Sequence, residues 1–135
     1  MILDTGGWLL ALSGVRDFAA ALQAASPAIV PGLVLAEVDW HLRGRRVEMR
    51  RLLREIAAGA YAYEPPTAGD LDRARAIDEK FRESMLGLVD ASVAALAERL
   101  GIRRVLTTDS DFTVVRIGRR WNVAIELAAP LPARR

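Results

Sequence analysis

In MILDTGGWLLAL, residues 1–12, three apolar residues run into Asp4, and Thr5, Gly6 and Gly7 lead on into a second apolar run. The opening residues fit a short buried strand and the later ones a helix, which leaves Asp4 at the strand's end. A carboxylate in that position is costly unless something compensates it. The alternation then continues along the chain. Residues 5 to about 25 read as helical, with a break near SGVRD (13–17), where Ser13 or Asp17 suits a cap. PAIV (27–30) is a second short strand. In PGLVLAEVDWHLRG (31–44), Pro31 suits a helix start and Gly44 a stop.

Residues 45–58 form another helix, and AYAYEPP (60–66) a third strand in which tyrosine alternates with alanine. Thr67 followed by Asp70 resembles a capping box at the head of a helix running to about Phe81. A further helix from about Leu88 to Leu100 ends at Gly101, a C-terminal capping glycine. RRVLTTD (103–109) is the fourth strand and WNVAIEL (121–127) the fifth. Strands alternating with helices predict an α/β fold: three α/β/α layers around a mainly parallel sheet of four to five short strands. In such sheets function gathers beyond the carboxyl ends of the strands. No internal repeat or linker interrupts the pattern, so a single domain over residues 1–135 is expected.

Composition bounds the possibilities. A chain of 135 residues with 52% hydrophobic and 27% charged residues is long and apolar enough to build a core, not a disordered polymer. It has no Cys, so neither a disulfide framework nor a thiolate metal site is available. No apolar run reaches the length of a membrane span, and the start lacks a basic segment followed by an uninterrupted apolar one. A cytoplasmic protein is expected. Net charge is only +2, yet Lys80 is the sole lysine among 19 basic residues. Arginines cluster at residues 43–46, 50–51, 103–104, 116–120 and 134–135. Guanidinium forks match phosphate geometry, so a nucleic-acid surface is one reading. Solvated helix faces are the other.

The acids separate into two groups. Asp109 ends the fourth strand as Asp4 ends the first, and Asp111 follows it. In a parallel sheet these strand ends project to one edge. Glu37 lies near the apolar stripe formed by Leu33, Val34 and Val38, and Asp90 precedes Val93, Ala94 and Ala97 on the side facing the sheet. Acids on a core-facing stripe need a cation or a hydrogen-bond network. Glu48, Glu55, Glu79, Glu83 and Glu98 sit instead among Arg and Ala at solvated positions, several within helical pairing distance of an Arg, and read as surface. A cluster of Asp4, Glu37, Asp90, Asp109 and Asp111 repels itself unless a cation neutralises it. With all-oxygen donors, no Cys and one His, Mg²⁺ or Mn²⁺ is the matching ion.

These residues carry a resemblance. ILDTGGWL with Asp4, IVPGLVLAEV with Glu37, LGLVDASVAALAERLG with Asp90, and RVLTTDSDF with Asp109 and Asp111 stand in the order found in PIN-domain ribonucleases. More specifically, the sequence resembles the VapC-type toxins of bacterial toxin–antitoxin modules, and WNVAIEL fits that family's fifth strand. The resemblance implies an endoribonuclease in which Asp4, Glu37, Asp90 and Asp109 hold one or two Mg²⁺ or Mn²⁺ ions. A metal-activated water then attacks an RNA phosphodiester in line. Asp4, Asp90 and Asp109 are the expected ligands, Glu37 orients the water, and Asp111 stands second to them. Thr5, Thr107 and Thr108 are expected to support the carboxylates. A VapB-type antitoxin covering the acidic groove, a homodimer and a toxin–antitoxin hetero-oligomer are the implied assemblies. The apolar runs WLLAL and FAAALQAA serve either a dimer interface or the core. Gly6-Gly7 departs from the family, which commonly carries Ser or an Asn-like residue after the Asp-Thr pair, and residues 81–87 receive no role.

Other chemistries fit less well. Asp4-Thr5-Gly6 matches the aspartic-protease tripeptide, but that motif belongs to an all-β fold that pairs two such loops. Gly6 stands where a haloacid-dehalogenase-like phosphatase needs a second Asp. A receiver domain needs a late Lys, and no glycine-rich run ends in Gly-Lys. His41, four residues after Glu37, reads as a surface or partner-contact residue. Trp8, Trp40 and Trp121 read as core or interface more readily than as base-stacking platforms. A non-catalytic PIN-like interaction module is the competing class.

Overall fold

The computed structural model describes residues 1–133; the Arg134-Arg135 pair lies outside them. Strands β1 (Ile2–Leu3), β2 (Ala28–Pro31), β3 (Tyr61–Glu64), β4 (Arg104–Leu106) and β7 (Glu126–Leu127) form one sheet in the order β3-β2-β1-β4-β7. Every pairing in it is parallel. Helices α1 (Thr5–Leu12), α2 (Arg16–Ala24), α3 (Gly32–His41), α4 (Arg46–Ala57), α5 (Ala68–Lys80) and α6 (Gly87–Leu100) flank it, giving the three-layer α/β/α architecture. Ile2, Leu3, Val105 and Leu106 on the two central strands are fully buried, as a sheet covered on both faces requires.

From β1 the chain builds outward to β2 and β3 on one side, then returns to place β4 on the other. The reversal of direction between β1 and β4 opens a crevice beyond their carboxyl ends. Asp4 and Asp109 follow those two strands. Gly7 lets α1 approach this edge: a Cβ on it stands 2.2 Å from the Leu106 carbonyl oxygen. Only a residue without a side chain permits that contact.

Three local expectations change. WNVAIEL is not one strand. Val123–Ala124 (β6) pairs antiparallel with β5 (Arg116–Ile117) in a separate two-stranded ribbon, and Glu126–Leu127 alone joins β4 in the main sheet. Its period of two is genuine, but the two halves find different partners. Neither Ser13 nor Asp17 caps α2. Val15 holds the N-cap position, and Ser13 closes α1 by donating its hydroxyl to the Leu9 carbonyl at 2.9 Å. Glu98 is not a solvated surface acid. Its carboxylate accepts two hydrogen bonds from Arg73, at 2.8 and 2.9 Å, and one from the Gly118 N–H at 2.6 Å. The capping box of α5 forms in full, with Thr67 and Asp70 exchanging bonds of 3.0 Å.

Candidate functional site

Asp4 takes its place because β1 ends there and α1 begins one residue later. Its N–H completes the sheet by donating to the Leu106 carbonyl at 2.9 Å. The side chain is buried and accepts a 2.6 Å bond from the Thr107 hydroxyl, which is itself buried. The same Thr107 oxygen accepts the Asp109 N–H at 3.0 Å, so one hydroxyl ties the ends of β1 and β4 together. Burial raises the Asp4 pKa; the bonds from Thr107 and the Thr5 N–H pull it down, and the charges of Asp109 and Glu37 push it up again.

Asp90 enters from the first turn of α6, where its carboxyl is half-buried and reaches Asp109. Its pKa is pushed up to about 9, first by burial, then by the hydrogen bond with Asp109 and the charges of Asp4, Asp109 and Glu37. Glu37, midway along α3, accepts a 2.5 Å bond from the Thr5 hydroxyl. Asp109 caps the 3₁₀ turn Ser110–Thr113 by accepting the Asp111 N–H at 2.8 Å. Slight burial and then the charge of Asp109 raise the Asp111 pKa. Four elements of the fold thus deliver Asp4, Glu37, Asp90 and Asp109 into one electrostatically coupled group beyond the sheet's carboxyl edge, with Asp111 beside it.

Thr5 and Thr107 each bond a carboxylate. Thr108 does not, among the described residues. Its hydroxyl instead fills the space over Gly6, 2.1 Å from where a Cβ would stand. A side chain at position 6 and Thr108 in this rotamer exclude one another.

The donor set is entirely oxygen and anionic, which suits a hard divalent cation. The shared proton implied by the raised Asp90 pKa is how such a group lowers its charge without one. Among the described residues, no three His, Asp or Glu side chains are drawn into a ready-made ligand cage. Hydroxyls brace two of the acids, Asp4 through Thr107 and Glu37 through Thr5, while Asp90 meets Asp109 directly. His41 is exposed at the end of α3 and lines a separate cavity of about 850 Å³ with Leu9, Leu12, Arg45, Leu52 and Tyr61. Trp8 is buried against Tyr61, with ring centroids 5.2 Å apart, and Trp40 is exposed with the Arg43 guanidinium 4.0 Å from its ring.

Comparison with known proteins points one way. The PIN domain family profile matches residues 1–118. Ribonuclease VapC26 of Mycobacterium tuberculosis is 31% identical over 117 residues, covering 81% of this chain and 86% of that protein. The crystal structure of M. tuberculosis VapC20, a sarcin–ricin-loop-cleaving toxin, superposes with a TM-score of 0.64 at 26% identity, covering 84% of this chain and 92% of that one. A toxin–antitoxin complex from Klebsiella pneumoniae superposes with a TM-score of 0.64 at 22% identity, covering 82% of this chain and 88% of that one, and speaks to the fold alone.

Proposed function

Because the chain belongs to the PIN-domain family, we propose that it is a metal-dependent endoribonuclease, the toxin of a type II toxin–antitoxin module. The observation that carries this reading is the convergence of Asp4, Glu37, Asp90 and Asp109 at the crevice between β1 and β4. Asp4, Asp90 and Asp109 are assigned to hold Mg²⁺ or Mn²⁺, with Glu37 contributing directly or through water and Asp111 in reserve. The ion, when bound, supplies charge neutralisation at the phosphodiester and acidifies the attacking water. Glu37, held by the Thr5 hydroxyl, orients that water and accepts its proton. The Thr107 hydroxyl favours the ionised form of Asp4 against the effect of its burial and aims it at the crevice. Asp90, whose pKa burial and its acidic neighbours raise, would hold the cation in its ionised form, so binding would strengthen as pH rises.

The expected setting is the cytoplasm, and no described helix is long and apolar enough to cross a membrane. A VapB-type antitoxin is the proposed partner, alongside a homodimer and a toxin–antitoxin hetero-oligomer. The likeness to a VapC toxin supports the first of these. RNA cleavage by the partner-free protein tests the reading, with Mn²⁺ or Mg²⁺, with EDTA, and beside Asp90→Asn. Cleavage that vanishes with EDTA and in the variant is expected. A folded wild type that neither cleaves RNA nor binds Mn²⁺ overturns the proposal and leaves the non-catalytic interaction module.

A further inference from the structure

Without its cation the acidic centre repels the polyanion it is proposed to cut. Affinity for RNA must therefore come from cations outside it, and the short ribbon β5–β6 presents a candidate. Its turn at residues 118–121 closes with the Trp121 N–H donating to the Gly118 carbonyl at 3.1 Å, which puts Arg119 and Arg120 at the two corners. Gly, Pro, Asn, Asp and Ser dominate such corners for conformational reasons, and arginine brings none of them. Both side chains are exposed, and among the described residues neither makes an ion pair or a hydrogen bond.

The rest of the turn is held firmly. Glu98 accepts the Gly118 N–H at 2.6 Å, and Arg73 donates to the Gly118 carbonyl at 3.1 Å. Both polar groups of Gly118, the residue next to Arg119, are therefore clamped. On the other side, Trp121 has a left-handed backbone (φ +53°), a costly conformation for a bulky residue. Its ring packs 4.2 Å from the Arg73 guanidinium and edge-on to Phe81 at 5.9 Å. Lys80 adds a second cation 5.9 Å from the same ring. Glu98 is the acid nearest the turn by these contacts, and Arg73 already neutralises it, so Arg119 and Arg120 keep their charge for an external ligand. The ribbon continues directly from the loop carrying Asp109 and Asp111. The turn is bonded to Glu98, which stands eight residues, or about 12 Å along the helix axis, from Asp90 on α6.

We propose that Arg119 and Arg120 form a rigid phosphate clamp that grips the RNA backbone outside the acidic centre, at a nucleotide flanking the scissile bond. The proposal rests on the ribonuclease reading above. Guanidinium forks bond phosphate oxygens in pairs, and a pre-ordered turn loses little entropy on binding.

The test is fluorescence anisotropy with a short fluorescein-labelled single-stranded RNA of mixed sequence, in EDTA to stop cleavage, across a series of NaCl concentrations. Arg119→Ala/Arg120→Ala is compared with wild type and with Arg50→Ala/Arg54→Ala. The latter pair lies on α4, which packs beside β3 at the opposite edge of the sheet. Removing two phosphate contacts lowers the slope of log affinity against log salt by about 1.4 and weakens binding by about tenfold or more at moderate salt. The α4 variant keeps the wild-type slope. Wild-type slope and affinity in the turn variant overturn the clamp and leave the nuclease reading intact. Unchanged RNA binding together with lost binding to poly-glutamate reassigns the turn to an acidic protein partner. A wild type that neither binds nor cleaves RNA removes both readings together.

Discussion

Gly7→Ala adds a single methyl group where the first turn of α1 lies against the end of β4. The new Cβ stands 2.2 Å from the Leu106 carbonyl oxygen, 2.4 Å from its carbon and 2.7 Å from the Thr107 nitrogen. All three are backbone atoms, so no flexible side chain can swing aside. Reaching ordinary contact at 3.4 Å requires a shift of about 1.2 Å (3.4 − 2.2). Overpacking of this kind costs roughly 1–3 kcal/mol or more. The ~1 kcal/mol by which alanine surpasses glycine in a helix offsets only part of it. A net loss of about 1–2 kcal/mol lowers Tm by roughly 4–10 °C for a chain of this size. The same shift moves Asp4 away from Thr107, so RNA cleavage falls as well. Gly69→Ala, in the first turn of α5, is the matched control. There the nearest atom to the new Cβ is the Thr67 hydroxyl at 3.7 Å, an ordinary contact, and stability holds or rises by up to ~1 kcal/mol. Thermal unfolding followed by circular dichroism, in EDTA at one pH, reads all three proteins. If Gly7→Ala melts at or above the wild-type temperature, the close approach of α1 to β4 is wrong.

Other residues give equally direct tests. Asp90, half-buried and facing Asp109, has its folded pKa raised from 3.8 to about 9. Its contribution to the stability of the metal-free protein is therefore fully present below about pH 4 and lost as pH rises towards 9. Asp90→Asn should flatten the decline in Tm between about pH 6 and 9 in EDTA; parallel declines refute the assignment. Thr107→Val strands the buried Asp4 carboxylate and the Asp109 N–H, at a cost of about 1–3 kcal/mol. It should reduce cleavage far more than Thr108→Val, and equal effects contradict the bridging role. For Glu98, burial pushes the pKa up, but the bonds from Arg73 and the Gly118 N–H outweigh it and hold the pKa below the usual glutamate value. Its stabilising effect is present above that usual value and lost as pH falls through the lowered one. The Tm gap between wild type and Glu98→Gln should thus close in acid, and a pH-independent gap argues against the ion pair.

Asp4, Asp109 and Asp90 were legible because each is a local anomaly, a carboxylate set against apolar neighbours on a strand end or a core-facing helix stripe. Glu98 carried no such mark. Among Ala, Arg and Leu it looks like any solvated helix acid, and its partner Arg73 is 25 residues away. The second half of WNVAIEL was read correctly as strand for the main sheet, while its first half went to a ribbon that no pattern within it announces. β5, at two residues, is too short to show any periodicity.

The amino-acid order alone determined the alternation of strand and helix, the α5 capping box and the acids that need compensation. These follow from forces acting within one turn of helix or a few residues of strand. Which strand lies beside which was decided only on closing the tertiary structure. So was the bond from Thr107 to Asp4 across 103 residues of chain, and with it the burial and the neighbouring acids that raise the Asp90 pKa. Coulomb forces and hydrogen bonds depend on distance through space, and a sequence specifies distance only along the chain.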